Sequence, residues 1–315
     1  MTDDALKDEG APSGCNPIDP LQLPSPLHRI HHPLLTAHGV TLWCKRDDLI
    51  HPSMSGNKWR KLKYHLQQAR AQGKTHILSF GGAYSNHIHA LAAAGCRLGL
   101  RTTGIIRGEA ASVSNATLSA ARGWGMDLVF VDRQSYRRRQ DPAWLAQFED
   151  ADTLIVPEGG SSPLALPGVA ELVDELPFSP DLWVLPCASG GTLAGLIAGK
   201  RERERILAIA VIKGGTQLRD EVCRLHPGAA TTEGWRIALE HHDGGYARFS
   251  PALWQWVQAF SAETGLPLEP IYSGKAMWGL FRELEAGRIP RGSEVVFLHT
   301  GGLQGLAGLR EQGRL

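Results

Sequence analysis

The sequence predicts an α/β protein of two lobes, each an open, mostly parallel sheet flanked by helices. Three observations carry that expectation. From about residue 40 onward, short β-rich runs alternate with longer helical patterns, the signature of βα units. A chain of 315 residues, 43% hydrophobic and 21% charged with 36 glycines, is long enough for a large core and two domains. Two segments of turn-forming residues, Met54–Gly56 and Pro157–Pro167, stand where the chain would cross between lobes. Two crossings make residues 55–157 a smaller inserted domain and residues 21–54 plus 158–315 the larger one. Residues 1–20, with acids, prolines and glycines, read as a disordered tail. A cleft then lies between the lobes, where small-molecule sites tend to form.

The elements follow in order. Thr41–Lys45 is a short apolar strand, and Lys58–Ala71 a helix whose buried face is Trp59, Leu62, Leu66 and Ala69. Strands at His76–Phe80, Thr102–Ile106, Leu128–Val131 and Leu154–Val156 are apolar and rich in leucine or β-branched residues; helices at His87–Leu98 and Ser114–Gly123 separate them. Beyond the second crossing come helix Pro167–Leu176, strand Leu182–Pro186, helix Thr192–Lys200 and strand Leu207–Val211. Helices Pro251–Glu263 and Lys275–Glu285, strand Val295–His299 and helix Gln304–Arg310 complete the chain.

Composition excludes several functions. The formal net charge is +1 with both signs interspersed, so no long-range field attracts nucleic acid or a membrane surface. The basic runs at Arg137–Arg139 and Arg201–Arg205 are short or interleaved with glutamate, as on a solvated helix face. Five widely spaced cysteines without a CxxC pair argue against a disulfide framework or zinc knuckle and fit a reducing cytoplasm. The N-terminal residues lack the apolar core of a signal peptide, and no stretch reaches the roughly 18 apolar residues of a membrane helix. Thirteen histidines, His28, His31, His32, His89, His241 and His242 among them, show no metal-site spacing, so no metal is expected. His299 reads as shaping a pocket. The nine tryptophans, Trp254 and Trp256 included, read as core or subunit interface.

Four turns carry the chemistry. In Ser55-Gly56-Asn57-Lys58, a small-residue turn delivers a lysine to a helix start, where positive potential lowers its pKa and favours Schiff-base formation; a solvated lysine is the alternative. Gly81 to His87 links a strand to a helix. Ser85 and Asn86 there either cap the helix or help its free N–H groups receive a carboxylate. Cys187 to Gly195 is a glycine-rich βα turn suited to wrapping a phosphate, without the Walker lysine or a full GxGxxG. Glu269 to Met277 places an aromatic beside a hydroxyl, suited to a flat ring and its edge nitrogen or to a buried tyrosine with a serine cap. Together they are the parts of one cofactor site.

The segments GNKWRKLKY, GAYSNH, ASGGTLAGL, EPIYSGKAM and HTGG, in this order over roughly residues 20 to 310, resemble the 1-aminocyclopropane-1-carboxylate deaminase/D-cysteine desulfhydrase family. The resemblance implies the tryptophan-synthase-β-like fold, fold type II among pyridoxal 5'-phosphate enzymes, and a homodimer. It makes Lys58 the Schiff-base residue, Asn86 a partner of the cofactor's ring oxygen, and Ser189, Gly190, Gly191 and Thr192 the phosphate loop. Tyr272 falls beside the cofactor and Ser273 near its pyridine nitrogen. Ser85 holds the substrate carboxylate and helps at the reacting carbon. His87, next to Asn86, is a further expected substrate contact.

Two departures bear on the substrate. Cyclopropane-opening deaminases have a glutamate after the tyrosine, where this chain has the neutral Ser273, as in the desulfhydrase branch, whose sulfide leaving group demands a weaker electron sink. Tyr84 replaces a glutamine, and with Trp59 is expected to reshape the pocket. The expected activity is β-elimination from a small amino acid such as D-cysteine, giving an α-keto acid, ammonia and sulfide, with Lys58, Ser85 and Tyr272 as catalytic residues. Alternatives are cyclopropane deaminase, racemase or β-replacement activity on this scaffold, or a silent binder of a phosphorylated metabolite.

Overall fold

The computed structural model describes residues 20–54, 56–108 and 115–315. Its strands are β1 (Leu27–Ile30), β2 (Thr41–Lys45), β3 (His76–Gly82), β4 (Arg101–Arg107), β5 (Asp127–Val131), β6 (Thr153–Ile155), β7 (Leu182–Cys187), β8 (Arg205–Ala210), β9 (Trp235–Ala238) and β10 (Glu294–Leu298). Its α-helices are α1 (Pro33–His38), α2 (Asn57–Ala71), α3 (Asn86–Leu98), α4 (Ala116–Gly123), α5 (Arg133–Arg137), α6 (Pro142–Leu145), α7 (Leu166–Asp174), α8 (Gly191–Gly199), α9 (Leu218–Leu225), α10 (Pro251–Thr264), α11 (Ser273–Glu285) and α12 (Gly305–Glu311).

Two sheets organise the chain. The larger runs β1-β2-β10-β7-β8-β9, and the smaller runs β5-β4-β3-β6 within residues 76–155. Every pair is parallel except β1 with β2. Parallel strands carry helices on both faces and so bury both, which is why β8 and β10 read as unbroken apolar runs rather than alternating ones. One face of the large sheet packs on α10 and α11, with Val257, Phe260, Leu280 and Phe297 in its core. The other packs on α7, α8 and α9, with Leu172, Leu196, Val222 and Trp183. The small sheet packs on α2, α3 and α4 through Leu62, Ile77, Leu91 and Leu118.

Backbone contact ties α2, which carries Lys58, to the large sheet. Gly56 has φ +70°, and a Cβ there would stand 2.0 Å from the Thr300 carbonyl oxygen, so only glycine fits. Gly56 N donates to Asp47 O at 2.8 Å and Asn57 N to Thr300 O at 3.2 Å. Farther along α2, Gly168 of α7 lets the Arg60 carbonyl come so near that a Cβ would lie 2.1 Å from it. Arg60 then reaches Asp47 Oδ2 at 2.7 Å and Glu175 Oε1 at 2.8 Å, in a buried cluster completed by Lys45 and Ser25.

Strands β1 and β9 and helices α1, α5, α6 and α9 were not anticipated. β1 is an edge strand with two exposed central residues, β9 is a four-residue edge strand, and α1, α5 and α6 are only four to six residues long; α9 is amphipathic, with Leu218, Val222 and Leu225 buried, and was simply missed. The start expected for α4, Ser114, lies outside the described residues. Cys96 is disulfide-bonded, which corrects the expectation of a chain without such a bond; Cys44, Cys187 and Cys223 are free.

Candidate active site

The cleft lies at the C-terminal ends of the parallel strands, where βα turns present their residues. Lys58, Lys61, Asn86, Ser189, Thr192 and Tyr272 line it, together with Asn57, Gly190, Thr300 and Gly301. Lys58 projects from the first turn of α2. One side of its chain meets the cleft, but the surrounding protein strips water from the amine and lowers its pKa to about 8, against a weaker opposing pull from Glu158. A sizeable fraction of neutral amine therefore exists near neutral pH, as a nucleophile toward an aldehyde requires.

Lys61 lies one turn later on the same face of α2, and its importance was not anticipated. It is 1% exposed, and its Nζ donates to Ser161 Oγ at 3.0 Å and Gly159 O at 3.3 Å. Burial, reinforced by the charge of Lys58, pushes its pKa well below the ordinary value. Neither acceptor is charged, so among the described residues the amine, when protonated, has no hydrogen-bonded counter-anion. Opposite it stands the turn before α8: Gly190 is left-handed with φ +74°, and a Cβ on Gly191 would lie 2.7 Å from Ser161 Oγ and 3.1 Å from Lys61 Nζ. Ser189 Oγ lies 3.0 Å from Ser161 Oγ, and Thr192 Oγ1 accepts from Asn57 Nδ2 at 2.8 Å. Hydroxyls, a helix N-terminus and an ammonium make a donor set that fits a phosphate dianion.

On the far wall, Tyr272 immediately precedes α11. Its hydroxyl donates to Tyr246 Oη at 3.1 Å, the two rings meeting edge to face at 6.1 Å. Burial, then the neighbouring Tyr246, raises the Tyr272 pKa well above that of a free phenol, so it is a neutral donor. Tyr246 comes from a loop without periodic pattern, which hid it in the sequence. Asn86 Oδ1 accepts from Gln304 Nε2 at 3.0 Å. Ser85 is half-buried one residue earlier and caps α3, its Oγ accepting from Ile88 N at 3.3 Å.

Four expected residues lie elsewhere. His87 is buried away from the cleft, its Nε2 2.8 Å from Ser79 Oγ, with burial and the nearby lysines holding its pKa well below the usual range. Ser273 is fully buried and turned toward Glu269, accepting from Glu269 N and donating to Glu269 Oε1, both at 3.1 Å. That carboxylate also accepts from the backbone N–H groups of Ile271, Tyr272 and Ser273. Trp59 belongs to the core under the small sheet. Tyr84 is 41% exposed and lies against α12, where a Cβ on Gly308 would be 2.6 Å from its ring. Neither therefore narrows the pocket. The cluster Glu240, His241 and Glu283 has metal-ligand residue types, but Glu283 is already bonded to Arg236, Arg288 and His241.

A buried ammonium lacking an anion asks for a phosphate, and a partly unprotonated amine one turn before it asks for a carbonyl. Pyridoxal phosphate offers both on one small molecule, and that pairing defines the class as pyridoxal-phosphate-dependent enzymes. The family model described as pyridoxal-phosphate dependent enzyme matches residues 18–301, and the chain belongs to this family. It is 30% identical over 311 residues to the mitochondrial bifunctional D-cysteine desulfhydrase/1-aminocyclopropane-1-carboxylate deaminase of Arabidopsis thaliana, covering 90% of this chain and 77% of the relative. It is 27% identical over 293 residues to a D-cysteine desulfhydrase of Yersinia pestis, covering 85% and 88%. A crystal structure described as an ACC deaminase homologue superposes with a TM-score of 0.79 at 26% identity, covering 93% of each chain. The fold is fold type II, and the enzyme is a pyridoxal-phosphate-dependent lyase of the desulfhydrase and deaminase group.

Proposed function

We propose that this enzyme eliminates a good leaving group from the β-carbon of a small amino acid, D-cysteine being the leading candidate, and releases an α-keto acid, ammonia and sulfide. The carrying observation is that, among the described residues, none of those lining the cleft is a carboxylate. Glu158, the nearest acid felt by Lys58, is engaged by Tyr136 Oη at 2.7 Å and Arg139 Nε at 2.6 Å. Without an acid to hold a proton on the ring nitrogen, the electron sink is weak, which suits departure of sulfide better than opening of a cyclopropane.

When bound, pyridoxal phosphate supplies the conjugated ring that stabilises negative charge at the substrate's α-carbon. Lys58 would hold its aldehyde carbon. Lys61, Ser189, Thr192 and the backbone of Gly190 and Gly191 would hold its phosphate, and Asn86 and Tyr272 would border its ring. Lys58 Nζ is the base for the α-proton. Ser85 and the first N–H groups of α3 receive the substrate carboxylate. The tyrosine pair, kept neutral, donates a hydrogen bond to the departing sulfur, which leaves as hydrosulfide. The enzyme works as a cytoplasmic homodimer, with residues 55–157 as the smaller lobe.

Purified holoenzyme given D-cysteine is expected to form keto acid and sulfide, and cofactor-free protein is expected to take up pyridoxal phosphate faster as pH rises toward 8 and Lys58 loses its proton. Lys58→Ala is expected to remove both turnover and the visible absorption of the holoenzyme. Holoenzyme that yields no keto acid from D-cysteine removes the substrate assignment. The bifunctional Arabidopsis relative favours a second reading, deamination of 1-aminocyclopropane-1-carboxylate, which 2-oxobutanoate formation from that substrate would establish.

A further inference from the structure

The turn that carries Tyr246 is strained. Asp243 at φ 42° and Ala247 at φ 55° are the described non-glycine residues in the left-handed region, and they bracket Gly244 at φ 85° and Gly245 at φ 98°. Side-chain-bearing residues persist there only where surrounding contacts hold them. Three contacts do so. Asp243 Oδ2 accepts from Ser250 N at 2.6 Å, Arg314 donates to Ala247 O at 2.7 Å, and Lys275 Nζ donates to Gly245 O at 2.6 Å.

Lys275 differs in kind from the other two. It is fully buried in the first turn of α11, three residues after Tyr272, and its other bond, to Val211 O at 3.5 Å, is also to a carbonyl. Burial lowers its pKa to about 8 while Asp243 and Glu269 pull the other way and Arg314 repels it. An apolar side chain would avoid that desolvation, so a buried ammonium whose two hydrogen bonds both go to carbonyls is an unfavourable choice for simple packing. Its placement explains the choice. The start of α11 fixes Tyr272, and Lys275, on the same helical turn, fixes the loop opposite. Tyr246 is 52% exposed and bonds to Tyr272 through its hydroxyl, so its alignment depends on that loop.

We propose that Lys275 is a positioning residue: it holds the 243–247 turn so that the Tyr246 hydroxyl stands against that of Tyr272. The proposal rests on the reading of the tyrosine pair as the hydrogen-bond donor to the leaving group. It is tested in the holoenzyme with Lys275→Met, which keeps side-chain length but removes the donor, and Lys275→Gln, which keeps an N–H. Amide hydrogen exchange in residues 243–248 is expected to quicken at least about tenfold in Lys275→Met and less in Lys275→Gln. With D-cysteine, kcat is expected to fall at least about tenfold, to the level of Tyr246→Phe, with KM within about twofold. The double variant Lys275→Met/Tyr246→Phe should lose nothing further. Unchanged exchange in the turn, or a double variant whose loss is the product of the single losses, overturns the proposal. If Lys275→Met does not fold, Lys275→Gln is read by the same exchange and coupling criteria. Full activity of Tyr246→Phe would instead refute the tyrosine-pair reading, while the exchange measurement still decides whether Lys275 holds the turn.

Discussion

Lys61 shows how one side chain can state a ligand's charge. Its ammonium is buried among neutral oxygens beside a second lysine, an arrangement that disfavours the folded protein until an anion arrives. Truncating one partner of a buried, hydrogen-bonded charge pair costs about 2–5 kcal/mol. Lys61→Met is therefore expected to weaken pyridoxal phosphate binding by on the order of 100-fold or more. Titration of cofactor-free protein, followed by the visible absorption, measures this. Kd within threefold of the parent would show that the turn alone holds the phosphate. At this scale the sequence was informative where residues sit together in a βα turn, as Lys58, Asn86 and Ser189 to Thr192 do. It was silent on Tyr246 and Ser161, which reach Tyr272 and Lys61 from separate loops. Lys61 did leave a signal, its three-residue spacing from Lys58 on one helix face.

At the scale of the element, α2 is held at both ends of its first turns, by the Gly56 to Thr300 contact and by the Arg60 cluster. Arg60 is 1% exposed and bonded to two carboxylates, and breaking such a buried pair from one side costs about 3–5 kcal/mol. Arg60→Leu is expected to lose about that much stability in urea denaturation, because Asp47, fully buried, would be left without its guanidinium. A loss below about 1 kcal/mol would mean that Lys45 and Ser25 compensate. The six interior strands were legible because burial on both faces writes a largely apolar run, and they and the edge strands β5 and β6 matched their expected places within two residues. Edge strands β1 and β9 were not, since exposure replaces that run with polar residues. The side-chain directions of Ser273 and His87, toward Glu269 and Ser79, were not legible for a different reason: a pattern places a residue near a helix start but does not say which way its side chain turns.

At the scale of the whole molecule, two carboxylates set the acid limit. Glu175 and Glu283, bonded to Arg60 with Lys45 and to Arg288, His241 and Arg236, have pKa values near 2 against an ordinary 4.5. Both are depressed in the folded state, so their stabilisation is complete above pH 4.5 and disappears as pH falls toward 2. Allowing for solvent around the partner guanidinium groups, each contributes about 1–2 kcal/mol. Urea midpoints are expected to drop between pH 4.5 and 3, and Glu283→Gln should flatten part of that slope. An identical slope in Glu283→Gln would place the acid sensitivity elsewhere.

The strand order of the large sheet fixes when the protein can finish folding. β10, near the end of the chain, lies between β2, near its beginning, and β7, from its middle. A ribosome therefore releases β2 and β7 long before the strand that joins them exists, and both wait with an open, apolar edge. Nascent chains stalled short of residue 294 lack the keystone of the sheet, which makes the interval before its arrival the period when chaperones matter most to this enzyme.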